Sequence, residues 1–281
     1  MSIVVNTNVT SLMVQKNLNA ANFRVEKSIE RLSTGFKINQ AADDAAGLAI
    51  AQGFKSQSNG TLVAKDNTQH GINLLQTAEG DLNVIQDNLQ RIRDLTVQAA
   101  NGTYSTSEKA MLASEVKARI AEIDRLAQVS EFSSIKLLDG TTSTVVLQVG
   151  ANTNGNNQLD ISKAIIKATS TALCAELTSA KVDTAFAKST TANAYIDQID
   201  KAIDKVSAAR ADIGAFQNRL TSTLNSLDVR YENMASSLST IQDTDVASEA
   251  ANLTKSQILQ NVSVSLLAQA NQNPSIALSL I

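Results

Sequence analysis

The chain has 281 residues, a mass of 29.8 kDa, a formal net charge of -3, one cysteine, one proline and no tryptophan. The single cysteine excludes an internal disulfide framework and a multi-cysteine zinc site, and the net charge gives no support to a nucleic-acid partner. No charge-free apolar run reaches the length of a transmembrane helix, so we expect no membrane insertion. Aromatic residues make up only 3% of the chain, which is typical of helices joined along seams of Leu, Ile, Val and Ala.

The first predicted helix begins at Val9 and has apolar side chains on two nearly opposite faces. One face carries Val9, Leu12, Met13, Ala20 and Phe23, and the other carries Val14, Leu18, Ala21 and Val25. A helix with two apolar faces needs two neighbours. The alternative is a helix that is fully buried within its own monomer.

The segment after this helix predicts a helix end, a short loop and a new helix start. Gly35 suits a C-cap with positive φ, while Asn39, Asp43 and Asp44 suit the entry into the following helix. Adjacent residues on a helix diverge by about 100°, so Asp43 and Asp44 do not face one site. The pattern therefore favours capping over a catalytic pair of carboxylates.

A long helix follows and runs to about Asn101. Its apolar stripe extends from Leu75 to Ile92 at alternating steps of three and four residues. Three glycines, Gly60, Gly71 and Gly80, are predicted to weaken this helix locally.

The next predicted element is a shorter helix that follows a turn at Asn101-Gly102. Ser105 and Glu108 have the spacing of a capping box, and a stripe from Leu112 to Ala127 continues behind them. This helix should lie antiparallel to the long helix before it.

After Leu138 the apolar pattern changes from a period of 3.5 to a period of 2. Apolar residues alternate from Val145 to Val149 and across Asp160, with Asn154-Gly155 as a turn signal between the two runs. This pattern predicts a β-hairpin near residues 143–162. Residues 163–193 are rich in Ser, Thr, Ala and Lys and indicate only short helical fragments.

The longest apolar seam of the chain lies between Ile196 and Ile241 and is interrupted only by Arg210 and Gln217. Its spacing of 3.5 residues is typical of a coiled coil, and a helix of this length exceeds a small globular domain. We therefore expect a long antiparallel helical rod in which helices from both ends of the chain pair. The predicted seam residues are Ile196, Ile199, Ile203, Leu220, Leu224, Leu227 and Leu238.

The C-terminal segment has no charged side chain after Lys255. One helical face carries Ile258, Leu259, Val262, Leu266 and Ala270, and another carries Leu253, Val264 and Leu267. Both ends of the chain thus offer more apolar surface than one helix pair can cover. This favours ends that order only when identical copies pack around them, which is polymerisation by mass action.

The chain resembles the bacterial flagellins along nearly its whole length. The N-terminal motifs are NTN at 6–8, SLMVQKNLN, SIERLSTGFKINQAADDAAGLAIA, LQRIRDLTVQAANGT and FSSIKLLDG. The C-terminal motifs are ADIGAFQNRL, DTDVASEAANLTKSQILQ and LAQANQNPSIALSLI. Motifs at both ends, in the right order, make this resemblance highly specific.

The resemblance implies a filament subunit for motility that is exported unfolded by the flagellar type III apparatus and lies outside the cell. It implies an inner core domain from residues 1–42 and 243–281, and an outer coiled-coil domain from 43–242. Implied partners are other copies of the chain, an export chaperone, and the cap and junction proteins. The implied packing residues of the filament core are Val9, Leu12, Met13, Val14, Leu18, Phe23, Leu253, Ile258, Leu259, Val262, Val264, Leu266 and Leu267.

The resemblance also implies a candidate contact with the Toll-like flagellin receptor of host innate immunity. The residues that match the recognised helix face are Gln90, Arg91, Arg93, Asp94, Leu95, Gln98 and Glu115. Asp94 stands where glutamate is common in the family. The alternative is that these are solvated helix charges or contacts between subunits.

Two other functions share part of the pattern. A hook–filament junction protein has the same architecture, and a secreted coiled-coil translocator would insert into host membranes. An enzyme is not expected, because neither His70 nor Cys174 has companions that form a catalytic constellation, and no catalytic, metal or cofactor site is predicted. We expect Cys174 to be a buried small residue.

Overall fold

The computed structural model describes residues 7–141 and 144–278, with side chains for 7–141 and 144–272. This part of the chain is dominated by helices, which confirms the mostly α class. The helices are α1 Val9–Thr34, α2 Ala45–Ala100, α3 Thr106–Val129, α4 Ser170–Leu173, α5 Ser179–Phe186, α6 Ser189–Gln242 and α7 Val246–Leu278. The strands are β1 Glu131–Phe132, β2 Ile135–Lys136, β3 Val146–Gln148 and β4 Gln158–Asp160.

The chain forms two compact units. The terminal unit is Met1–Ser58 with Glu232–Ile281, and the central unit is Asn59–Tyr231. The boundaries expected from the sequence, at 42 and 242, fall in the turns before α2 and after α6. The observed boundaries fall inside α2 and α6, because these helices continue without a break from one unit into the other. Residues 1–6 and 279–281, at the ends of the expected inner core domain, lie outside the described residues.

The terminal unit pairs α1 with α7 in antiparallel orientation. Asn8 Nδ2 donates to the carbonyl of Ala270 at 2.7 Å at one end of the pair. Near the other end of the pair, Ser28 Oγ donates to Glu249 Oε1. Helix α1 ends at Gly35, whose φ of 77° and hydrogen bond to the Arg31 carbonyl make it the predicted left-handed C-cap.

The loop between α1 and α2 is organised by the two adjacent aspartates, which have different roles. Asp44 Oδ1 accepts from the Gly47 N–H at 2.9 Å and caps α2 as predicted. Asp43 instead pairs with Lys27 at 2.9 Å and accepts from the backbone of Asn39 and Gln40. The Lys27 ammonium and these two N–H groups lower the pKa of the Asp43 carboxyl to about 2.

The central unit is built around a core shared by α2, α3 and α6. Large side chains of all three helices are buried, and Leu75, Leu82, Ile85, Leu89, Ile92, Ile120, Ile123, Ile199, Ile213 and Leu220 are among them. Ion pairs join α2 to α6 in antiparallel order, from Lys65 with Asp228 at 2.5 Å to Arg93 with Asp200 at 2.6 Å. The expected antiparallel pairing of helices from both halves of the chain is therefore present within this unit.

The two polar interruptions of the α6 seam have polar partners on α2. Arg210 Nη1 donates to Gln86 Oε1 at 2.5 Å, and Gln217 Nε2 donates to Glu79 Oε2 at 3.0 Å. Because each buried or half-buried polar group needs a partner, these pairs let the seam continue through both positions.

Helix α3 begins with the predicted capping box. Ser105 Oγ accepts from the Glu108 N–H, and the Glu108 carboxylate accepts from the Ser105 N–H at 2.7 Å. These hydrogen bonds lower the pKa of Glu108. A short hairpin that the sequence did not predict, β1 with β2, follows α3 and turns through Ser133 and Ser134, both at positive φ.

The predicted β-hairpin is present as β3 and β4, which pair with Leu147 opposite Leu159. Residue 143, at the start of the predicted range, lies outside the described residues. The hairpin lies against α2, where a Cβ on Gly71 would come 2.2 Å from Leu147 Cδ1 and a Cβ on Gly60 would come 2.9 Å from Ala151 Cβ. These glycines therefore admit the hairpin, a role that the expected local weakening of the helix did not include.

The segment expected at 163–193 contains α4, α5 and the first turn of α6. Asp124 of α3 holds α4 by accepting from the Ser170 N–H at 2.7 Å and from its hydroxyl at 2.9 Å. Cys174 is buried, with its Sγ 3.5 Å from Gln198 Oε1. The Phe186 ring meets the Tyr195 ring edge-on at 6.4 Å, and burial raises the pKa of the Tyr195 hydroxyl.

Candidate functional site

The fully buried positions of the contact between α1 and α7 have small or polar side chains. On α7 the buried residues recur every seventh position, at Glu249, Ser256, Ser263 and Ala270, and on α1 they are Ala21 and Ser28. Small side chains let two helices approach closely but bury little apolar area. Within the described residues, the pair therefore has no large apolar side chain that is fully buried between its two helices.

Side-chain hydrogen bonds add specificity along the same contact. Gln260 Nε2 donates to Asn22 Oδ1 at 2.8 Å, and Ser11 Oγ donates to Asn271 Oδ1 at 2.8 Å. Glu249 accepts from Ser28 Oγ and lies 3.7 Å from Arg31 Nη1.

The large apolar side chains of these helices lie mostly on their outer surfaces. Phe23 is 65% exposed, Met13 is 63% exposed and Ile258 is 57% exposed. The exposed set on α1 is Val9, Leu12, Met13, Phe23 and Ile29, and on α7 it is Val246, Ile258, Leu259, Val262, Val264 and Leu266. We call these residues the outer apolar face. Exposed large apolar side chains in this number on one helix pair mark an interaction site.

The thirteen residues predicted to pack in a filament core divide into two groups. Val14, Leu18, Leu253 and Leu267 are half-buried along the α1–α7 contact. The other nine belong to the outer apolar face. Two residues of α7 differ from the two helical faces that were predicted from the sequence. Ala270 lies in the contact, whereas Val264 is 52% exposed.

Comparison with known proteins gives matches at both ends of the chain. The bacterial flagellin N-terminal helical region matches residues 5–143, and the bacterial flagellin C-terminal helical region matches residues 196–281. A flagellin from Halalkalibacterium halodurans is 40% identical over 99% of each chain. The chain belongs to the bacterial flagellin family.

Two further relatives extend the comparison. A protein described as a flagellar filament 33 kDa core protein, from Treponema phagedenis, is 36% identical over 99% of each chain. The solved structure of a protein described as flagellar hook-associated, from Vibrio parahaemolyticus, matches 72% of this chain and all of that chain with a TM-score of 0.60. At 14% identity this second likeness shows only the fold.

As a flagellin, the chain is a structural subunit of the bacterial flagellar filament. Within the described residues no helix is long and apolar enough to span a membrane, and no group of three or more His, Cys, Asp or Glu side chains could hold a metal ion.

The residues predicted for the α6 seam have two levels of burial. Ile199, Leu220 and Leu227 are buried, and Ile196, Ile203, Leu224 and Leu238 are half-buried. In the first part of α6, Tyr195, Ala202 and Ala209 are buried as well, each one residue before an expected seam position. At these three places the residue that follows, Ile196, Ile203 or Arg210, was expected to face inward and is only half-buried.

Most of the predicted receptor-contact residues lie together on the surface of α2 and α3. Gln90, Arg91, Asp94 and Gln98 are exposed, and Arg91 Nε donates to Glu115 Oε1 at 3.0 Å. Arg93 is half-exposed and paired with Asp200. Leu95 is only 1% exposed, so it belongs to the core and offers no surface to a partner.

The prediction missed the polar residues of the α1–α7 contact. Glu249, Ser256 and Ser263 were not singled out, because a search for apolar stripes passes over them. A search for small residues at a constant seven-residue spacing would have found this contact.

Proposed function

We propose that the outer apolar face of α1 and α7 is the surface through which copies of this flagellin pack in the filament core. The observation that carries the proposal is the distribution of side chains on these helices. The fully buried positions between the two helices are small or polar, and most of the large apolar side chains are exposed. Each half-exposed apolar side chain gains on the order of 1 kcal/mol when a neighbour covers it. Many such contacts offset the entropy of ordering the helices.

A consequence of this proposal is that the terminal helices become fully ordered only on assembly. Open helical filaments need a heterologous interface that repeats from copy to copy, and the exposed apolar side chains of both α1 and α7 are available to form it. Subunit concentration then drives both ordering and growth.

The route to the filament is part of the same proposal. The chain is exported unfolded through the flagellar type III apparatus, is bound beforehand by an export chaperone at its C-terminal segment, and adds below the cap outside the cell. Support comes from family membership and from the low aromatic content of 3%, which suits passage through a narrow channel. The junction proteins are the expected neighbours at the base of the filament.

A second partner is the Toll-like flagellin receptor of a host. The exposed side chains of Gln90, Arg91, Asp94 and Gln98, with Glu115 bonded to Arg91, support this candidate contact because they form one continuous polar face. Arg93 flanks this face but is engaged by Asp200.

The test of the packing proposal places a charge on the outer apolar face. Val262→Glu should abolish seeded filament growth, because a carboxylate would be buried without a partner at every subunit contact. Sedimentation of filaments and electron microscopy measure the effect. The helical circular dichroism of the monomer should stay within a few per cent of the parent.

The matched control is Ser248→Glu, which adds the same charge at an exposed position in the first turn of α7, where a carboxylate suits the helix dipole. It should polymerise normally. Filaments of normal yield from the Val262→Glu protein would contradict the proposed packing surface.

A further inference from the structure

The dipeptide Asn-Gly occurs three times in the chain, and the three copies lie in different local structures. Asn59-Gly60 lies inside α2, Asn101-Gly102 lies between α2 and α3, and Asn154-Gly155 lies in the loop between β3 and β4. All three asparagines are exposed to solvent. Sequence and exposure are therefore matched at the three places, and only the backbone structure differs.

An asparagine that precedes glycine can react with its own backbone. The amide nitrogen of the glycine attacks the side-chain carbon Cγ, the bond from Cγ to Nδ2 breaks, and ammonia leaves with the proton of the attacking nitrogen. Water then adds to one of the two carbonyls of the cyclic imide and opens the ring to aspartate or isoaspartate. Glycine favours the attack because it has no Cβ to obstruct the close approach of the backbone.

The helix around Asn59 opposes this reaction. In a continuous helix of 56 residues, the Gly60 N–H has a carbonyl acceptor one turn earlier. Ring closure would require the ψ angle of Asn59 to leave the helical range, which breaks hydrogen bonds of α2. Gly60 also packs against the hairpin loop, where an added Cβ would come 2.9 Å from Ala151 Cβ. Solvent exposure alone therefore does not make Asn59 reactive.

The turn at Asn101-Gly102 lacks these restraints. Helix α2 ends at Ala100, and the Gly102 N–H has no hydrogen-bond acceptor among the described residues. Thr103 N–H donates to Asn101 Oδ1 at 3.2 Å, which folds the side chain back over the local backbone. The same hydrogen bond reaches the oxygen on which negative charge develops during the attack.

The loop at Asn154-Gly155 is similarly unrestrained. Asn154 has a φ of -64° and a ψ of 139°, outside the helical range, and its side chain makes no capping hydrogen bond. In the described part of the chain the Gly155 N–H has no acceptor, and no atom lies within 4 Å of a Cβ placed on Gly155. The flanking strands have three residues each and hold this loop less firmly than α2 holds Asn59.

We propose that Asn101 and Asn154 are sites of spontaneous deamidation in the folded protein, and that helix α2 protects Asn59. Each conversion adds one negative charge to a chain whose formal net charge is -3. At position 101 the new carboxylate lies just beyond the C-terminus of α2, which has no basic residue in its last turn, so the charge opposes the helix dipole. Isoaspartate also adds one methylene to the main chain of the turn. The inference does not depend on how copies of the chain pack.

The test follows the three asparagines in one sample. The purified full-length protein is incubated in mildly alkaline buffer made with heavy-oxygen water, which labels each site where the imide is hydrolysed. Mass spectrometry of the digested protein then measures the label at each position. Labelling at Asn101 and at Asn154 should each exceed labelling at Asn59 at least tenfold. In a parallel sample unfolded in urea, the three rates should agree within about threefold, because the helix is lost.

Two matched variants test the role of the glycine nitrogen. Gly102 and Gly155 do not have positive φ, so alanine fits at either position without backbone strain. Gly102→Ala should slow labelling of Asn101 at least fivefold and leave Asn154 unchanged, because the new Cβ obstructs the attack. Gly155→Ala should have the converse effect.

Equal labelling of the three asparagines in the folded protein overturns the inference. It is also overturned if Asn59 remains tenfold slower in urea, because the helix would then not be the cause of its protection. Unchanged labelling of Asn101 in the Gly102→Ala protein would show that the label does not arise from attack by the backbone nitrogen, and this too overturns the inference.

Discussion

Leu227 and Val229 lie two residues apart on α6 in opposite environments. Leu227 is 5% exposed, whereas Val229 is 59% exposed. Both are aliphatic side chains on the same helix, so a substitution at one can be measured against the same substitution at the other.

Leu227→Asp should destabilise the monomer by roughly 3 kcal/mol or more, because it replaces buried apolar volume with a carboxylate that has no partner. Thermal unfolding followed by circular dichroism should show a melting temperature several degrees lower. Val229→Asp should change the melting temperature little. Equal effects from the two substitutions would mean that the observed seam of α6 is incorrect.

Among individual residues, the features that depend only on neighbours in the sequence could be predicted. The Gly35 C-cap, the Asp44 N-cap and the box of Ser105 with Glu108 each need only a few residues of local pattern. The inward position of Tyr195 rather than Ile196 could not be predicted. It depends on Phe186, which meets the Tyr195 ring across a turn between two helices.

At the scale of elements, the hairpin of β3 and β4 depends on a groove in α2 that only glycine provides. Gly71 faces Leu147 of β3, and Asn67 Nδ2 of the same helix donates to the Gln148 carbonyl at 3.3 Å. A two-stranded hairpin is marginally stable alone, so its contact with α2 is what keeps it formed.

Gly71→Leu should displace the hairpin while leaving α2 helical. The expected result is faster cleavage by subtilisin within residues 149–157, measured by mass spectrometry of limited digests. Gly80→Leu is the matched control, because Gly80 is an exposed helix position with no atom within 4 Å of an added Cβ. Equal cleavage of the Gly71→Leu protein and the parent would show that the hairpin does not rely on this groove.

The helices themselves were predictable because their apolar periods are long and regular. The bounds of α1 and α2 agree closely with the pattern, and α6 begins at Ser189, seven residues before the first expected seam residue. The hairpin of β1 and β2 was not predicted. Its strands have two residues each and turn through two serines at positive φ, and neither feature gives an apolar alternation to detect.

At the scale of the whole molecule, the two units differ in how their apolar side chains are covered. The central unit buries large side chains such as Leu82, Ile92 and Ile213 completely. Between α1 and α7 of the terminal unit, the fully buried residues are alanines, serines and one glutamate, and the residues of the outer apolar face are exposed. Local stability should follow this difference.

Amide hydrogen exchange of dilute monomer should therefore be fast across α1 and α7 and slow across the core of α2, α3 and α6. In filaments the terminal helices should become protected by at least a hundredfold, as neighbouring copies cover the outer apolar face. Mass spectrometry of peptic fragments from both states measures this. Strong protection of α1 and α7 in a strictly monomeric sample would contradict assembly-coupled ordering.

The apolar half of the candidate site followed from the sequence, since the lack of charge after Lys255 and the doubled faces were visible there. The polar residues of the α1–α7 contact could not be predicted in this way. Which face of each helix turns towards its partner depends on how α1 and α7 match along their whole contact, and no single segment contains that information.

A backbone bridge links the loop after α1 to the segment between α6 and α7. Lys37 N–H donates to the Gln242 carbonyl at 2.7 Å and Thr244 N–H donates to the Gly35 carbonyl at 2.9 Å, so the chain leaves the α1–α7 pair and returns to it at adjacent points. The residues between the two bridging segments form one long insertion, and lengthening a long insertion costs little additional loop-closure entropy. The segment between residues 37 and 242 can therefore change in length, by evolution or by design, provided that the two backbone hydrogen bonds of the bridge still form.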